Sequence, residues 1–269
     1  MTPTPPLPGT GHPDRDLADL LTTLITTAAR NAPRSLQKRI GPSEVGIECA
    51  RRLAYKWLEW PEVNEGGDPW PSIVGTATHD WLANALEAHN RALGRTRWLV
   101  EQRVHPAPGL SGSCDAYDTD TGTVLDHKVV GETSMRKYRQ QVRAQYRVQA
   151  HLYGLGWENA GHTPRRVALA IYPRGGLLTG LYVWSEPYDR DLALAAVQRL
   201  DTIREATNQL RVDEIPENWA LIPASPSSDC RYCPWMLPGS RDLATGCPGQ
   251  SLTLSTRSDH GFGSLIAQQ

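Results

Sequence analysis

Within the segment 112–128, the carboxylates of Asp115 and Asp126 and the ammonium group of Lys128 have a spacing that suits metal-dependent hydrolysis. A turn containing Asp and Gly between two alternating segments predicts a β-hairpin. Asp126 and Lys128 are two residues apart on the second strand, so their side chains point to the same face. Asp115, on the first strand, comes near them across the hairpin. We therefore expect three charged groups to converge where the paired strands end.

This grouping is suited to breaking a phosphodiester bond. Two carboxylates supply the hard oxygen ligands that Mg²⁺ and Mn²⁺ prefer. Such an ion neutralises the phosphate and lowers the pKa of a bound water, and Lys128 can orient that water or stabilise charge in the transition state. Only four lysines occur in the chain, so one at this position is not expected from composition alone. The hairpin by itself leaves a second interpretation open, in which its charges are solvated and pair with one another.

Composition and charge exclude several classes of protein. Of 269 residues, 39% are hydrophobic, and the net charge is −1. This length supports a full core, but the charge gives no global attraction to nucleic acid, so DNA binding requires local patches. No apolar run is long enough to cross a membrane, and the Pro-rich start lacks the features of a signal peptide. We expect a cytoplasmic protein without a membrane partner, in which disulfides are disfavoured.

The hydrophobic pattern predicts an α/β fold. Helices are expected at 16–30, from Ser43 as N-cap onward, and at 72–93, 135–157 and 190–210; strands are expected at 97–105, on both sides of the hairpin turn, at 166–172 and at 180–184. In the long helix at 135–157, one stripe of residues recurs every four positions. The stripe consists of Gln141, Gln145, Gln149 and Tyr153.

The order of these residues along the chain resembles that of the PD-(D/E)XK nucleases. His79 on the third helix is followed by Asp115, by Asp126-x-Lys128 and by Gln149-x-x-x-Tyr153. The pattern is most similar to the RecB-like subfamily, which includes the Cas-four-type CRISPR adaptation exonucleases, and it spans roughly residues 43–248. Asp replaces the more frequent Glu at the second acidic position, and its shorter side chain still serves a metal.

The resemblance implies a restriction-endonuclease-like core, in which a central mixed β-sheet is flanked by helices. It implies that His79, Asp115 and Asp126 bind the metal, with the backbone carbonyl of His127 as a further ligand and Lys128 as the catalytic lysine. It implies that Gln149 and Tyr153 contact DNA or position that lysine. An imidazole ligand favours Mn²⁺ somewhat over Mg²⁺.

Four of the five cysteines form a second pattern. Cys49 lies far upstream of Cys230, Cys233 and Cys247. Four thiolates can hold an iron–sulfur cluster or a structural zinc ion, and unliganded thiols are the third alternative. The resemblance favours a [4Fe–4S] cluster in an iron–sulfur subdomain that joins the N- and C-terminal segments. Cys114 belongs to no motif and is expected to be a core thiol.

These features divide the chain into five expected parts. They are a disordered tail at 1–15, a helical region at 16–70 that contributes one cluster cysteine, the nuclease core at 71–212, the iron–sulfur segment at 213–250 and a polar tail at 251–269. Arg136 and Lys137, at the start of the long helix, are candidates for phosphate contacts.

The expected function is a metal-dependent DNA exonuclease acting at single-stranded ends, in phage or bacterial DNA recombination, repair or replication. The alternative is a DNA-end-binding or CRISPR-adaptation accessory protein with little cleavage. No G-x-x-x-x-G-K-[ST] motif occurs, so a helicase partner would be a separate chain. The polarity of digestion, the strand preference, the number of catalytic metals and the oligomeric state stay open.

Overall fold

A computed structural model describes residues 13–32, 37–64 and 67–249. The expected polar tail at 251–269, and all but the last three residues of the expected tail at 1–15, lie outside the described residues. The chain divides into two compact units, residues 1–37 and residues 38–269. No helix within the described ranges has both the length and the apolar character needed to span a membrane.

The first unit contains one amphipathic helix, α1 (Arg15–Arg30), close to the predicted bounds. It begins where the carboxylate of Asp14 accepts a hydrogen bond from the backbone N–H of Leu17, which satisfies one of the free donors of the first turn. The leucines on its apolar side are each about half exposed. They are Leu17, Leu20, Leu21 and Leu24.

The second unit is built around one mixed sheet of five strands in the order β1-β2-β3-β4-β5. Strands β3 and β4 are parallel, whereas the other neighbours are antiparallel. This confirms the predicted α/β fold with a central mixed sheet flanked by helices. The strands are β1 (Trp98–Ala107), β2 (Leu110–Asp118), β3 (Thr123–Val130), β4 (Arg166–Pro173) and β5 (Tyr182–Pro187). The helices are α2 (Pro42–Val45), α3 (Ala50–Trp57), α4 (Trp70–Leu93), α5 (Glu132–Gln140), α6 (Ala144–Asn159) and α7 (Arg190–Leu210).

The sheet divides in the middle, and this division positions the site. Strand β2 pairs with β3 only through residues 116–118 and 123–125. Beyond that point β2 stays paired with β1, whereas β3 continues beside β4 as far as Val130 opposite Pro173. The last pair shared by β2 and β3 is Ala116 with Leu125. Asp115 comes directly before Ala116 in the chain, and Asp126 comes directly after Leu125. Each therefore lies at the opening between two diverging strands.

Helix α6 is the most deeply buried helix of this unit. Its residues from Gln149 to Trp157 are all buried. A Cβ added to Gly156 would lie 2.7 Å from the Cβ of Val104 on β1, so the absence of a side chain allows helix and strand to approach closely. The buried second half of α6 fixes the position of Gln149 relative to the sheet.

The predicted single helix at 135–157 is wrong, because the chain forms α5 and α6 with a break between them. Gln141 has an extended backbone (φ −154°, ψ 126°), and Arg143 is the N-cap of α6. Neither Gly nor Pro occurs in the break, so no local signal marks it. Gln141 consequently falls outside the predicted stripe.

Two other predicted boundaries differ from the structure. The helix expected from Ser43 is two helices, α2 and α3, and Gly41 rather than Ser43 is the N-cap because Pro42 occupies the first helical position. Gly180, expected on the last strand, lies in a 3₁₀ turn before β5.

The C-terminal segment packs on α3 and the residues that follow it. The indole N–H of Trp60 donates to the carbonyl of Ala244 at 2.7 Å, and the indole N–H of Trp235 donates to the carbonyl of Trp60 at 2.9 Å. Trp219 is fully buried, with its ring 4.1 Å from that of Tyr55. These contacts join the two ends of the second unit.

We expect Gly46→Ala to destabilise the protein. A Cβ at this position would lie 2.7 Å from the Cα of Gln145, so α2 would be pushed off α6. Overpacking of this kind costs about 1–3 kcal/mol of unfolding free energy, measurable by urea unfolding. The control is Gly75→Ala in α4, where a Cβ meets no atom within 4 Å; there the free energy of unfolding should rise by about 0.5–1 kcal/mol. Equal effects of the two substitutions would contradict the packing argument.

Candidate active site

Asp115 bridges the gap where β2 and β3 separate. Its Oδ2 accepts a hydrogen bond from the backbone N–H of His127 at 2.5 Å. A side chain of β2 thus satisfies a donor of β3 at the point where the backbone ladder between the strands stops. The bond holds the Asp115 carboxylate against the strand that carries Asp126 and Lys128.

His79 approaches Asp115 from α4. Its Nδ1 lies 3.2 Å from Asp115 Oδ1, and its ring stands perpendicular to that of His127, with 5.8 Å between the centroids. The two oxygens of Asp115 therefore face different partners. One oxygen faces the imidazole and the other faces the backbone of β3.

Glu101 of β1 completes a group that the sequence pattern did not indicate. It lies between the rungs Val100–Ala116 and Gln102–Cys114, and so stands opposite Asp115. One ligand atom from each of His79, Glu101 and Asp115 lies within 4.8 Å of the others. The backbone of Glu101 is left-handed (φ 50°), which is uncommon for a residue other than Gly and typical of functional positions. Glu101 belongs to this group because the register of β1 against β2 places it opposite Asp115.

Asp126 belongs to a second, adjoining network. Its Oδ2 lies 2.5 Å from the Nζ of Lys128, and its Oδ1 accepts a hydrogen bond from Gln149 Nε2 at 2.8 Å. Lys128 Nζ also donates to Gln149 Oε1 at 3.2 Å, and Gln149 Nε2 lies 3.3 Å from the hydroxyl of Tyr153. Lys128 approaches Asp126 Oδ2 outside hydrogen-bonding angles, so this buried oxygen has a charged neighbour but no aligned donor.

The two carboxyl groups experience opposite electrostatic effects. Burial raises the pKa of Asp126 to about 6, and the negative charge of Asp115 adds to the rise against the opposing effect of Lys128. Burial also raises the pKa of Asp115, but the hydrogen bond and positive charge of His79 outweigh it and hold that pKa below its usual value. The same pairing with Asp115 raises the pKa of His79 despite its burial. A cation placed here would relieve the repulsion between the carboxylates.

The structure thus places the predicted residues in two touching groups. His79 and Asp115 lie together with Glu101, whereas Asp126 lies with Lys128 and Gln149. Among the described residues, no group of three ligands that includes Asp126 fits within the same 4.8 Å limit. The role of the His127 carbonyl as a ligand stays a prediction.

Arg136 and Lys137, the predicted phosphate contacts, are exposed on α5. This helix begins at Glu132, directly after β3. Both cations therefore lie within three turns of the strand that carries Lys128. Their role in binding DNA stays a prediction.

The four distant cysteines line one cavity of about 700 Å³. Cys49 is the N-cap of α3, Cys230 lies in the 3₁₀ turn Ser228–Tyr232, Cys233 ends that turn, and Cys247 forms a β-bridge with Met236. The thiols affect one another: burial raises the pKa of Cys233, Arg52 opposes the rise, and the neighbouring Cys49 and Cys247 add to it. The chain therefore brings the upstream cysteine to the C-terminal three.

The sulfur atoms are nevertheless widely spaced. No three of these cysteines, all among the described residues, have their sulfur atoms within 4.8 Å of one another. Cys114 lies elsewhere: it is fully buried, and its Sγ donates to the carbonyl of Ala116 at 3.4 Å. The prediction that Cys114 is a core thiol is confirmed.

Three solved structures are similar to part of this chain. An alkaline exonuclease (LHK-Exo) from Laribacter hongkongensis is 13% identical, with a TM-score of 0.47 over 73% of this chain and 98% of that chain. Its complex with dAMP has 13% identity and a TM-score of 0.45 over 68% and 94%. A phage related exonuclease from Haemophilus somnus 129PT has 13% identity and a TM-score of 0.39 over 62% and 82%.

No curated protein matches this sequence. The model of the PD-(D/E)XK nuclease superfamily, by contrast, matches residues 11–236, which is most of the chain and includes every residue of the two touching groups. The chain belongs to the PD-(D/E)XK nuclease superfamily.

Proposed function

We propose that this protein is a metal-dependent DNA exonuclease of RecB-like type that acts at single-stranded ends. One observation carries the proposal. The ammonium group of Lys128 lies 2.5 Å from Asp126, at the point where the sheet divides and where Asp115 and His79 meet. Two carboxylates, an imidazole and an ammonium group from three different elements are suited to metal-dependent phosphodiester hydrolysis.

The donor set fits a divalent cation of the Mg²⁺ or Mn²⁺ type. Asp126 Oδ2 is a buried oxygen without an aligned donor, and Asp115 offers oxygens between His79 and β3. His79, Asp115 and Asp126 would hold the ion, with Glu101 and the backbone carbonyl of His127 as further ligands. When bound, such an ion neutralises phosphate charge and lowers the pKa of a coordinated water. The imidazole of His79 favours Mn²⁺ over Mg²⁺.

Lys128 supplies the positive charge that the chain itself brings to the reaction. Its side chain is only 16% exposed, so its charge acts in a medium less polar than water and stabilises negative charge that develops on the scissile phosphate. Gln149 accepts from Lys128 and donates to Asp126, and it thereby holds both groups in one arrangement. Tyr153 lies one turn further along α6 and limits the movement of the Gln149 amide.

The substrate would enter over α5, where Arg136 and Lys137 offer phosphate contacts. With a net charge of −1, such local cations must supply the attraction to DNA. The RecB-like order of the motifs supports action at single-stranded ends and a setting in phage or bacterial recombination, repair or replication. Strand separation, where it is needed, would come from a separate helicase. The competing function is that of a DNA-end-binding accessory protein with little cleavage.

A [4Fe–4S] cluster fits the cysteine cavity better than zinc does. A tetrahedral zinc ion with Zn–S bonds of about 2.3 Å needs sulfur atoms roughly 4 Å apart, and no three sulfurs here meet even 4.8 Å. A four-iron cluster holds each thiolate at a separate corner and so accepts wider spacing. Cys49, Cys230, Cys233 and Cys247 would bind it, and Arg51 and Arg52 in the same wall would offset its negative charge. Its role would be structural, because it joins the ends of the second unit.

We expect Lys128→Ala to reduce cleavage of end-labelled single-stranded DNA in Mn²⁺ by roughly 10²–10³-fold, with little change in DNA affinity. The control is Lys38→Ala, which removes an exposed ion pair with Glu59 and should leave the rate unchanged. A parallel time course on double-stranded DNA and in Mg²⁺ reports polarity, strand preference and metal choice. If the wild-type protein binds DNA ends without cutting them, the accessory function replaces the exonuclease.

We expect Mn²⁺ to stabilise the wild-type protein, raising Tm by roughly 5–10 °C at about 100 times its Kd. Asp115→Asn should abolish the rise and Glu101→Gln should reduce it, because both supply oxygens to the group around His79. Asp120→Asn is the matched control, since this residue lies in the same hairpin and pairs with Arg95 away from the site. A wild-type Tm that does not respond to Mn²⁺ would count against the metal site.

We expect anaerobically purified protein to be brown and to contain roughly four iron and four sulfide ions per chain. Cys233→Ala should lose both ions and the visible absorbance, whereas Cys114→Ala, which removes the buried core thiol, should keep them. Colourless protein with one zinc ion per chain would support the zinc alternative. Four freely titrating thiols in metal-free protein would exclude both the iron–sulfur cluster and the zinc ion.

A further inference from the structure

We propose that Tyr146 is a positioning residue for Lys128, an inference that rests on the proposed nuclease function. The Nζ of Lys128 lies over the ring of Tyr146, 4.8 Å from its centroid. Tyr146, Gln149 and Tyr153 are spaced by three and four residues, so they share one face of α6. The stripe that faces the site therefore begins at Tyr146. Gln145, which the sequence pattern placed in the stripe, donates instead to the carbonyl of Ser43.

Within the described part of the chain, Lys128 has three direct side-chain contacts, and two of them depend on Asp126. The first is Asp126 itself, through Oδ2. The second is Gln149, whose amide is oriented by its own bond to Asp126 Oδ1. Asp126 Oδ1 accepts from Gln149, and Oδ2 lies beside the ammonium group without an aligned donor, so a cation bound at Oδ2 would share that oxygen with Lys128. The ring of Tyr146 is the contact of Lys128 that does not pass through Asp126.

Tyr146 is itself held by a second aromatic ring. Its ring packs on that of Tyr138, with 5.7 Å between the centroids and a tilt of 52°. Tyr138 is buried on α5, which follows β3 directly. In one continuous helix, the rise of eight residues along the axis would separate Tyr138 from Tyr146. The break between α5 and α6 allows their rings to pack together.

The chemistry of an aromatic face suits this task. The negative face of the ring attracts an ammonium group, but it presents no lone pair that a hard cation would bind in place of Asp126. A carboxylate at position 146 would hold Lys128 equally well and would also compete for the metal. Tyr146 can therefore keep the ammonium directed at the site in both the metal-free and the metal-bound protein.

The test compares Tyr146→Leu with Tyr146→Phe in single-turnover cleavage of single-stranded DNA with Mn²⁺. Leucine keeps apolar bulk but removes the ring face, so the rate at saturating DNA should fall roughly 3- to 30-fold. Phenylalanine keeps the face and should restore most of the rate. Binding constants for DNA and for Mn²⁺ should stay the same for both variants.

The same substitution in a Lys128→Ala background separates positioning from general packing. With no ammonium to hold, Tyr146→Leu should cause no further loss of the residual rate. Equal rates for the Leu and Phe variants, or a further loss in the Lys128→Ala background, would overturn the inference. If wild-type and Tyr146→Leu proteins cleave equally, only this inference fails; if wild-type protein binds DNA but does not cleave it, the proposed function fails and takes the inference with it.

Discussion

The hydrogen bond from the backbone of His127 to the carboxylate of Asp115 is the interaction on which the site depends. Strands that diverge leave backbone groups without partners, and buried groups of this kind are costly. Here a side chain of one strand satisfies a donor of the other at the point of separation. The same bond that closes the gap in the sheet therefore fixes an acidic group between two strands. One contact therefore satisfies the backbone donor and positions a candidate metal ligand.

The charges around that opening form a balanced system. Asp115 faces the imidazole of His79, and Asp126 faces the ammonium of Lys128, so each acid has a basic neighbour. Burial of two carboxylates close together is unfavourable without such compensation. A bound cation would replace part of this compensation, because a cation attracts both acids at once. The neutral Gln149 then serves as the link between the acid and the base of the second group.

Much of this arrangement could be predicted from local pattern. The alternation around the hairpin turn placed Asp126 and Lys128 on one face. The central mixed sheet flanked by helices, which the family resemblance implied, is confirmed, and it has five strands. Glu101 could not be predicted, because its contribution depends on which residue of β1 lies opposite Asp115, and strand register is a tertiary property. The break after Gln140 was missed for a related reason. No Gly or Pro interrupts the helical pattern there, and the packing of Tyr138 on Tyr146 becomes visible only in the folded chain.

The bonds between the C-terminal segment and the region after α3 have a consequence for how the chain is made. Trp60 and Ala244 are 184 residues apart, and Tyr55 and Leu243 are 188 apart. Contacts between residues so far apart in the chain form late in folding, because a long loop must close before they can stabilise the fold. During synthesis, Tyr55 and Trp60 leave the ribosome long before the partners that cover them. A chain that ends prematurely would keep these aromatic rings uncovered, which marks it for chaperones and proteases.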